Sequence, residues 1–270
     1  MILPLPIPAL LLPGVIRFGP LRLSVYSLFA ATGVIAATSL SQRTARLVGL
    51  KAEKLWDADV FAIVAAFVIS RVLLVLVDIH SFLQYPLLVL SLPSLTYGGM
   101  VLTGLFVWAY LRVKKMPILD VVDAWAPCAA LLAAVLQLGH FVEGTDAGMP
   151  TSLPWGVPTP GDNILGKVHP VQLYGVAIGA ALCIVLMRLL SKPHRSGLPT
   201  ALALMAGGAS AFLLDMLRQP MESQGDALLD PGQWVALVGV LAGVLLWAGS
   251  PETSPQPMTL ITAQLHEESL

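Results

Sequence analysis

The feature that most constrains this chain is a series of long apolar runs with few charges inside them. Six stretches reach the length a bilayer demands: about 21–41, 58–78, 86–111, 121–142, 170–190 and 199–219. A seventh, about 232–249, is slightly shorter and carries no charge. A bilayer core about 30 Å thick needs roughly 20 apolar residues per helix. Lipid offers no partner to an unpaired backbone group, so helix is the default for each run. Charged residues make up 11% of the chain and hydrophobic residues 56%, whereas a soluble domain has about 25% charged. So few charges cannot cover a water-facing surface. The composition excludes a soluble globular domain and a wholly disordered chain. It predicts an all-α polytopic membrane protein with seven transmembrane helices.

Lysine and arginine set the expected orientation. The loops after the first, third and fifth spans hold Arg43, Arg46, Lys51 and Lys54; Arg112, Lys114 and Lys115; and Arg188, Lys192 and Arg195. These are ten of the fifteen cationic residues. The alternate loops carry mainly acids, with Lys167 the clear basic exception. The positive-inside rule then places the N-terminus outside and the C-terminus in the cytoplasm. Residues 1–20 are apolar but hold Pro4, Pro6, Pro8 and Pro13, with no charged n-region and no small-residue cleavage site. They read as an interfacial N-terminal arm, followed by a seven-helix domain over 21–249. Residues 250–270, polar and Pro-bearing, read as a disordered cytoplasmic tail. The absence of an internal repeat weighs against a transporter.

With this orientation, seven helices place polar groups in the outer half of the bilayer. Tyr26 begins the first span, Arg71 lies two-thirds along the second, and Tyr97 sits beside Gly98 and Gly99 in the third. Gln137 and His140 end the fourth; they are three apart and share a helix face. His169 starts the fifth, followed by Gln172 and Tyr174. Asp215 and Arg218 end the sixth, and Gln233 starts the seventh. Polar groups at such depth are costly and usually face a protein interior or a wet cavity. Plainer readings exist for most of them. The tyrosines suit an interfacial belt, the glutamines suit interhelical contacts, the histidines suit a solvated loop edge, and Arg218 can snorkel and pair with Asp215. Arg71 has apolar neighbours for several turns on both sides, and needs a carboxylate or a ligand phosphate.

The segment 143–168 is the longest loop expected outside, and is punctuated by Gly144, Gly148, Pro150, Pro154, Gly156, Pro158, Pro160 and Gly161, with Trp155 a candidate headgroup anchor. Such a loop is usually functional. Cys128 and Cys183 lie in apolar runs without CxxC spacing, and the five histidines show no metal-site spacing, so no metal is expected. Asp120 and Asp123 read as boundary residues at the inner end of the fourth span. A net charge of -1 gives no pointer to nucleic acid. Residues alone thus predict an outward-opening polar site for a lipid headgroup, a secreted peptide, or both.

Several motifs, in order, resemble the bacterial prolipoprotein diacylglyceryl transferases. They are FGPLRLSVYSLF (18–29), ISRVLLVLVD (69–78), TYGGMVLTG (96–104), LGHFVEGTDAGMPTSLPWGV (138–157), HPVQLYG (169–175), FLLDMLRQP (212–220) and GQW (232–234). The resemblance implies transfer of the diacylglyceryl group of phosphatidylglycerol to the thiol of a lipobox cysteine in a prolipoprotein, in lipoprotein biosynthesis at the bacterial inner membrane. It implies no metal or organic cofactor. The thiol must lose its proton, the departing phosphate must be charge-stabilised, and a base must stand nearby. The residues that would act in catalysis are His140, His169, Tyr26 and Tyr97. Those that would bind substrate are Arg71, Arg218, Gln137, Gln172, Tyr174, Asp215, Gly98, Gly99, Gly148 and Gln233.

The chain departs from the family pattern at the chemistry. Tyr97 stands where the pattern has histidine, Gln137 where it has arginine, and His140 where it has asparagine. Gly175 replaces the acid that ends HPxQLYE, Ala211 replaces an arginine and Gly207 a tyrosine. Three readings follow: a divergent transferase, a non-catalytic relative that binds phospholipid or lipoprotein precursors, and a transferase with a different lipid or acceptor.

Overall fold

The computed structural model of the protein describes residues 15–18, 21–77, 79–84, 96–158, 166–218 and 229–249. Most of the N-terminal arm and the tail after 249 lie outside the described residues, as does the 85–95 part of the expected third span. Among the described residues the fold is mostly helical: α1 (Val25–Leu47), α2 (Ala52–Val77), α3 (Ile79–Gln84), α4 (Tyr97–Val113), α5 (Ile118–Glu143), α6 (Val171–Leu190), α7 (Leu198–Asp215) and α8 (Pro231–Gly249). Five of these, α2, α5, α6, α7 and α8, are long and apolar enough to cross a membrane, and α4 is a shorter apolar helix of 17 residues. Exposed Val64, Phe67 and Leu76 on α2, and Val238, Leu241 and Leu245 on α8, show apolar side chains turned outward in rows. A water-soluble surface does not carry such rows.

Apolar length predicts a first span from residue 21, but Leu21–Ser24 is a strand (β2) paired antiparallel with Val15–Phe18 (β1), and α1 begins at Val25. The register joins Val15 to Ser24 and Phe18 to Leu21. Leu21-Arg22-Leu23-Ser24 alternates apolar and polar residues, the period of a strand. Counting apolar length alone passes over it. Four short strands are present among the described residues, the others being β3 (Val157–Pro158) and β4 (Lys167–Val168), also antiparallel.

The described residues pack as two compact units, one within Ser41–Val121 and the other made of those before residue 41 and from Val122 onward. In the unit Ser41–Val121, α2 lies along α4, with the Phe61 and Tyr110 rings stacked at 4.1 Å. Buried Ser41 donates a hydrogen bond to the buried carboxylate of Asp59. Thr96 caps α4, its hydroxyl accepting the Gly99 amide at 3.2 Å.

In the other unit, small residues let helices approach closely, as membrane bundles require without a hydrophobic driving force. A Cβ on Gly179 of α6 would stand 3.0 Å from the Ala130 carbonyl of α5, and one on Gly243 of α8 would stand 2.8 Å from the Ala201 carbonyl of α7. Asp123 is buried in this unit. Its carboxylate accepts the amides of Gly197 (2.6 Å) and Thr200 (3.0 Å) and the Thr200 hydroxyl (2.5 Å). The start of α7 has glycine at its N-cap with φ +90 and no capping side chain of its own. Asp123 supplies the missing acceptor from α5, where unsatisfied amides and the helix dipole favour a carboxylate. It was expected as a boundary residue and is instead an interhelical cap.

Candidate active site

The site lies in the unit containing α5 to α8, where five helix ends meet. α5 closes with the amides of Gly144 (φ +76) and Thr145 bonded to the His140 carbonyl at 3.0 and 3.1 Å, a left-handed C-terminal cap. The chain turns again at Asp146, φ +58. The two turns fold Thr145 and Asp146 back onto His140. His140 Nδ1 lies 2.8 Å from Thr145 Oγ1 and 3.6 Å from Asp146 Oδ2. On the other side the His140 ring meets that of Tyr26, centroids 4.4 Å apart and tilted by 38°. Tyr26 reaches it because α1 crosses α5 at Gly139, where a Cβ would come within 2.8 Å of Phe29 Cβ.

From Thr145 the chain runs as a strap across the ends of α6 and α7. Buried Gln172 donates to the carbonyls of Thr145 (2.6 Å) and Asp146 (2.8 Å). A side-chain amide has two N–H donors, so both are engaged, and Gln172 clamps the strap. The Met149 amide bonds the Leu217 carbonyl at 2.8 Å, and the His169 amide bonds the Met149 carbonyl at 3.0 Å. Gly148 forms a bridge with Arg218. A Cβ on Gly148 would stand 2.3 Å from the His169 carbonyl oxygen, so no other residue fits. Further on, the Trp155 indole donates to Tyr174 Oη at 2.7 Å, and Tyr174 Oη lies 3.5 Å from His169 Nδ1.

Arg218 sits at the end of α7 beside Asp215, with Nη1 3.8 Å from Oδ1. Its Nε is buried and has no hydrogen-bond partner among the described residues. Asp215 also has Asp230 and Gln233 as neighbours at the start of α8. Gln233 and Asp230 form a reciprocal cap: the Gln233 amide donates to Asp230 Oδ1 at 2.8 Å, and the Asp230 amide donates to Gln233 Oε1 at 3.3 Å. With Pro231 in the first helical position, the Gln233 side chain serves the helix.

Two departures from the family pattern turn out to be neighbours. A Cβ on Gly175 would stand 2.9 Å from Gln137 Cγ and 3.1 Å from its Cδ. Gln137 therefore occupies the room that a side chain at 175 would need. Its Oε1 is buried with no hydrogen-bond partner among the described residues. Gly207, by contrast, is open, with Leu182 Cδ2 the nearest atom to its Cβ direction at 4.0 Å.

The structure thus brings Tyr26, Gln137, His140, Gly148, His169, Gln172, Tyr174, Asp215, Arg218 and Gln233 to helix ends or the strap of one unit. Arg71, Tyr97, Gly98 and Gly99 belong to the unit Ser41–Val121. There the Arg71 guanidinium lies 5.2 Å from the centre of the Phe67 ring, Tyr97 is half-exposed at the start of α4, and Gly98 faces open space. Sequence reasoning passed over Thr145, Asp146 and the Trp155–Tyr174 bond. The signal available was the GTD turn directly after the fourth span. Among the described residues no three His, Cys, Asp or Glu side chains gather to hold a metal ion.

Fold and site define a multi-pass helical membrane protein with a polar centre at one set of helix ends. A family model described as prolipoprotein diacylglyceryl transferase matches residues 13–249, and the chain belongs to that family. Relatives named phosphatidylglycerol–prolipoprotein diacylglyceryl transferase match along most of its length. One from Cupriavidus pinatubonensis is 31% identical, covering 87% of this chain and 91% of its own. One from Bordetella bronchiseptica is 29% identical, over 87% and 94%. One from Clostridium tetani is 24% identical, over 84% and 93%.

Proposed function

We propose that this protein transfers the diacylglyceryl group of phosphatidylglycerol to the cysteine thiol of a prolipoprotein lipobox, releasing glycerol phosphate. The observation that carries the reading is the Arg218 guanidinium, held at the strap with a buried Nε that has no hydrogen-bond partner among the described residues. An arginine fork matches phosphate oxygens in a water-poor site. His140 and His169 stand at ends of the helices that the same strap joins, and serve the thiol and the departing group. Gln137 is a candidate substrate-contacting position, and Gly148 serves binding by setting the course of the strap. Arg71, Tyr97, Gly98 and Gly99 are candidate lipid contacts within the unit Ser41–Val121. Seven spans, an outside N-terminus and a cytoplasmic C-terminus put this chemistry at the outer leaflet of the bacterial inner membrane. The ten cations in alternate loops support that orientation.

The replacements at 97, 137, 175, 207 and 211 favour a second reading, a relative that binds phospholipid or precursor without turnover. One assay separates the two. Purified protein is given phosphatidylglycerol vesicles and a lipobox peptide, and the peptide mass is followed. The transferase reading expects the added mass of a diacylglyceryl group. Lipid bound with no added mass would sink it and leave the second reading. Labelling of cysteines introduced at 152 and 193, in cells, tests the orientation: the first is expected to react with an impermeant reagent and the second to be protected.

A further inference from the structure

Two histidines stand at the site, and their Nδ1 atoms meet different partners. At His169 the partner is a tyrosine already engaged by Trp155. An indole N–H can only donate, so Tyr174 Oη receives it at 2.7 Å and has its own hydroxyl proton left to give. His169 Nδ1, at 3.5 Å, is the acceptor in reach. A proton given to Nδ1 in that bond leaves the His169 N–H on Nε2. At His140 the partners are a carboxylate and a hydroxyl. A carboxylate only accepts, and Asp146 Oδ2 lies 3.6 Å from Nδ1. The Thr145 hydroxyl lies 2.8 Å from Nδ1 and has the His140 carbonyl, 3.5 Å away, as an acceptor for its own proton. With that proton on the carbonyl, both neighbours of Nδ1 are acceptors, the arrangement that favours the ring proton on Nδ1 and a free lone pair on Nε2.

We propose that Thr145 and Asp146 are positioning residues that hold the His140 proton on Nδ1 and so make Nε2 the base for the acceptor thiol. This rests on the transferase reading above and deepens it. The hold is stiff because Gln172 pins the carbonyls of both residues, and the Tyr26 ring packs against the imidazole. In the step, the thiol proton moves to His140 Nε2 and the sulfur bonds to the glyceryl carbon. The bond from that carbon to the phosphate oxygen breaks, and its electron pair leaves with glycerol phosphate. Asp146 stabilises the imidazolium, which then gives its proton to the departing phosphate. His169, with an N–H outward, cannot take the thiol proton at Nε2.

The test compares two lipobox peptides on the full-length protein in phosphatidylglycerol vesicles, one with cysteine and one with selenocysteine. A selenol is already ionised at neutral pH and needs no base. His140→Asn is expected to lower kcat on the cysteine peptide about 100-fold and to recover most of that loss on the selenocysteine peptide. Asp146→Asn, which tolerates the left-handed backbone at φ +58, is expected to lower kcat about fivefold, the worth of one part-exposed ion pair, with the same recovery and unchanged KM. Equal losses on both peptides would overturn the assignment, because a merely structural lesion does not distinguish sulfur from selenium. Full activity of His140→Asn on cysteine would overturn it as well. A parent protein inert toward both peptides would overturn the transferase reading, and the assignment with it.

Discussion

At one end of α5, Asp123 has a donor for each carboxylate oxygen: the Gly197 amide on Oδ2, and the Thr200 amide and hydroxyl on Oδ1. At the other end Gln137 buries an oxygen, and the strap holds Arg218 with a buried Nε, neither of which has a hydrogen-bond partner among the described residues. Asp123 and His140 are 17 residues apart on one helix, about 25 Å along its axis. A buried polar group without a partner costs roughly 1–3 kcal/mol. The protein meets that demand in full at Asp123 and leaves it open at the strap. The saturated cluster can only hold helices together. The unsaturated one has binding capacity for a molecule the fold does not itself contain.

If this contrast is right, variants at the two ends should fail in different ways. The largest effect is expected for Arg218→Ala: a loss of transfer by roughly 100- to 1000-fold, typical of removing one charge-stabilising donor, with the melting temperature in detergent unchanged. An equal loss of stability would mean that Arg218 is a structural cap like Asp123. Asp123→Ala should do the converse. It leaves the start of α7 without an acceptor and should lower stability by roughly 1–3 kcal/mol, measured by thermal unfolding, while activity per folded molecule persists. Gly175→Ala presses on Gln137 and should cost about 1–2 kcal/mol by overpacking. Adding Gln137→Ala should relieve it, and a double-mutant cycle should show a coupling of about 1 kcal/mol. Additive effects would break the link between these two positions. Gln233→Ala, which removes half of a reciprocal cap, should have the smallest effect, about 0.5–1 kcal/mol of stability with no change in kcat.

The helices of the unit containing α5 to α8 were legible to within a few residues, because charge-free length is the signal for a membrane helix and little competes with it. The fourth span was expected over about 121–142 and α5 runs Ile118–Glu143; the seventh was expected over about 232–249 and α8 runs Pro231–Gly249. Position along a span was legible too: Tyr26 and His140 stand near ends of α1 and α5, and His169 and Arg218 lie just beyond ends of α6 and α7. What periodicity does not carry is which distant groups bond. Gln172 reads as a polar residue near a helix start, and nothing local says that both its donors go to carbonyls 26 and 27 residues earlier. Asp123 reads as a boundary charge because its partners lie 74 and 77 residues on. Trp155 and Tyr174, 19 apart, meet across the strap. The hairpin before α1 was missed for a different reason: a four-residue alternation was hidden inside a longer apolar count.

The strap crosses so close to His169 that a single methyl group at position 148 would fall inside the carbonyl oxygen. A saturation library at that codon should therefore return one kind of survivor, glycine, and reject polar, apolar, large and small replacements alike. The same library at Gly98, where a side chain meets open space, should grade its survivors by chemistry. The shape of those two tolerance profiles, flat against graded, would separate a position that sets geometry from one that meets a ligand.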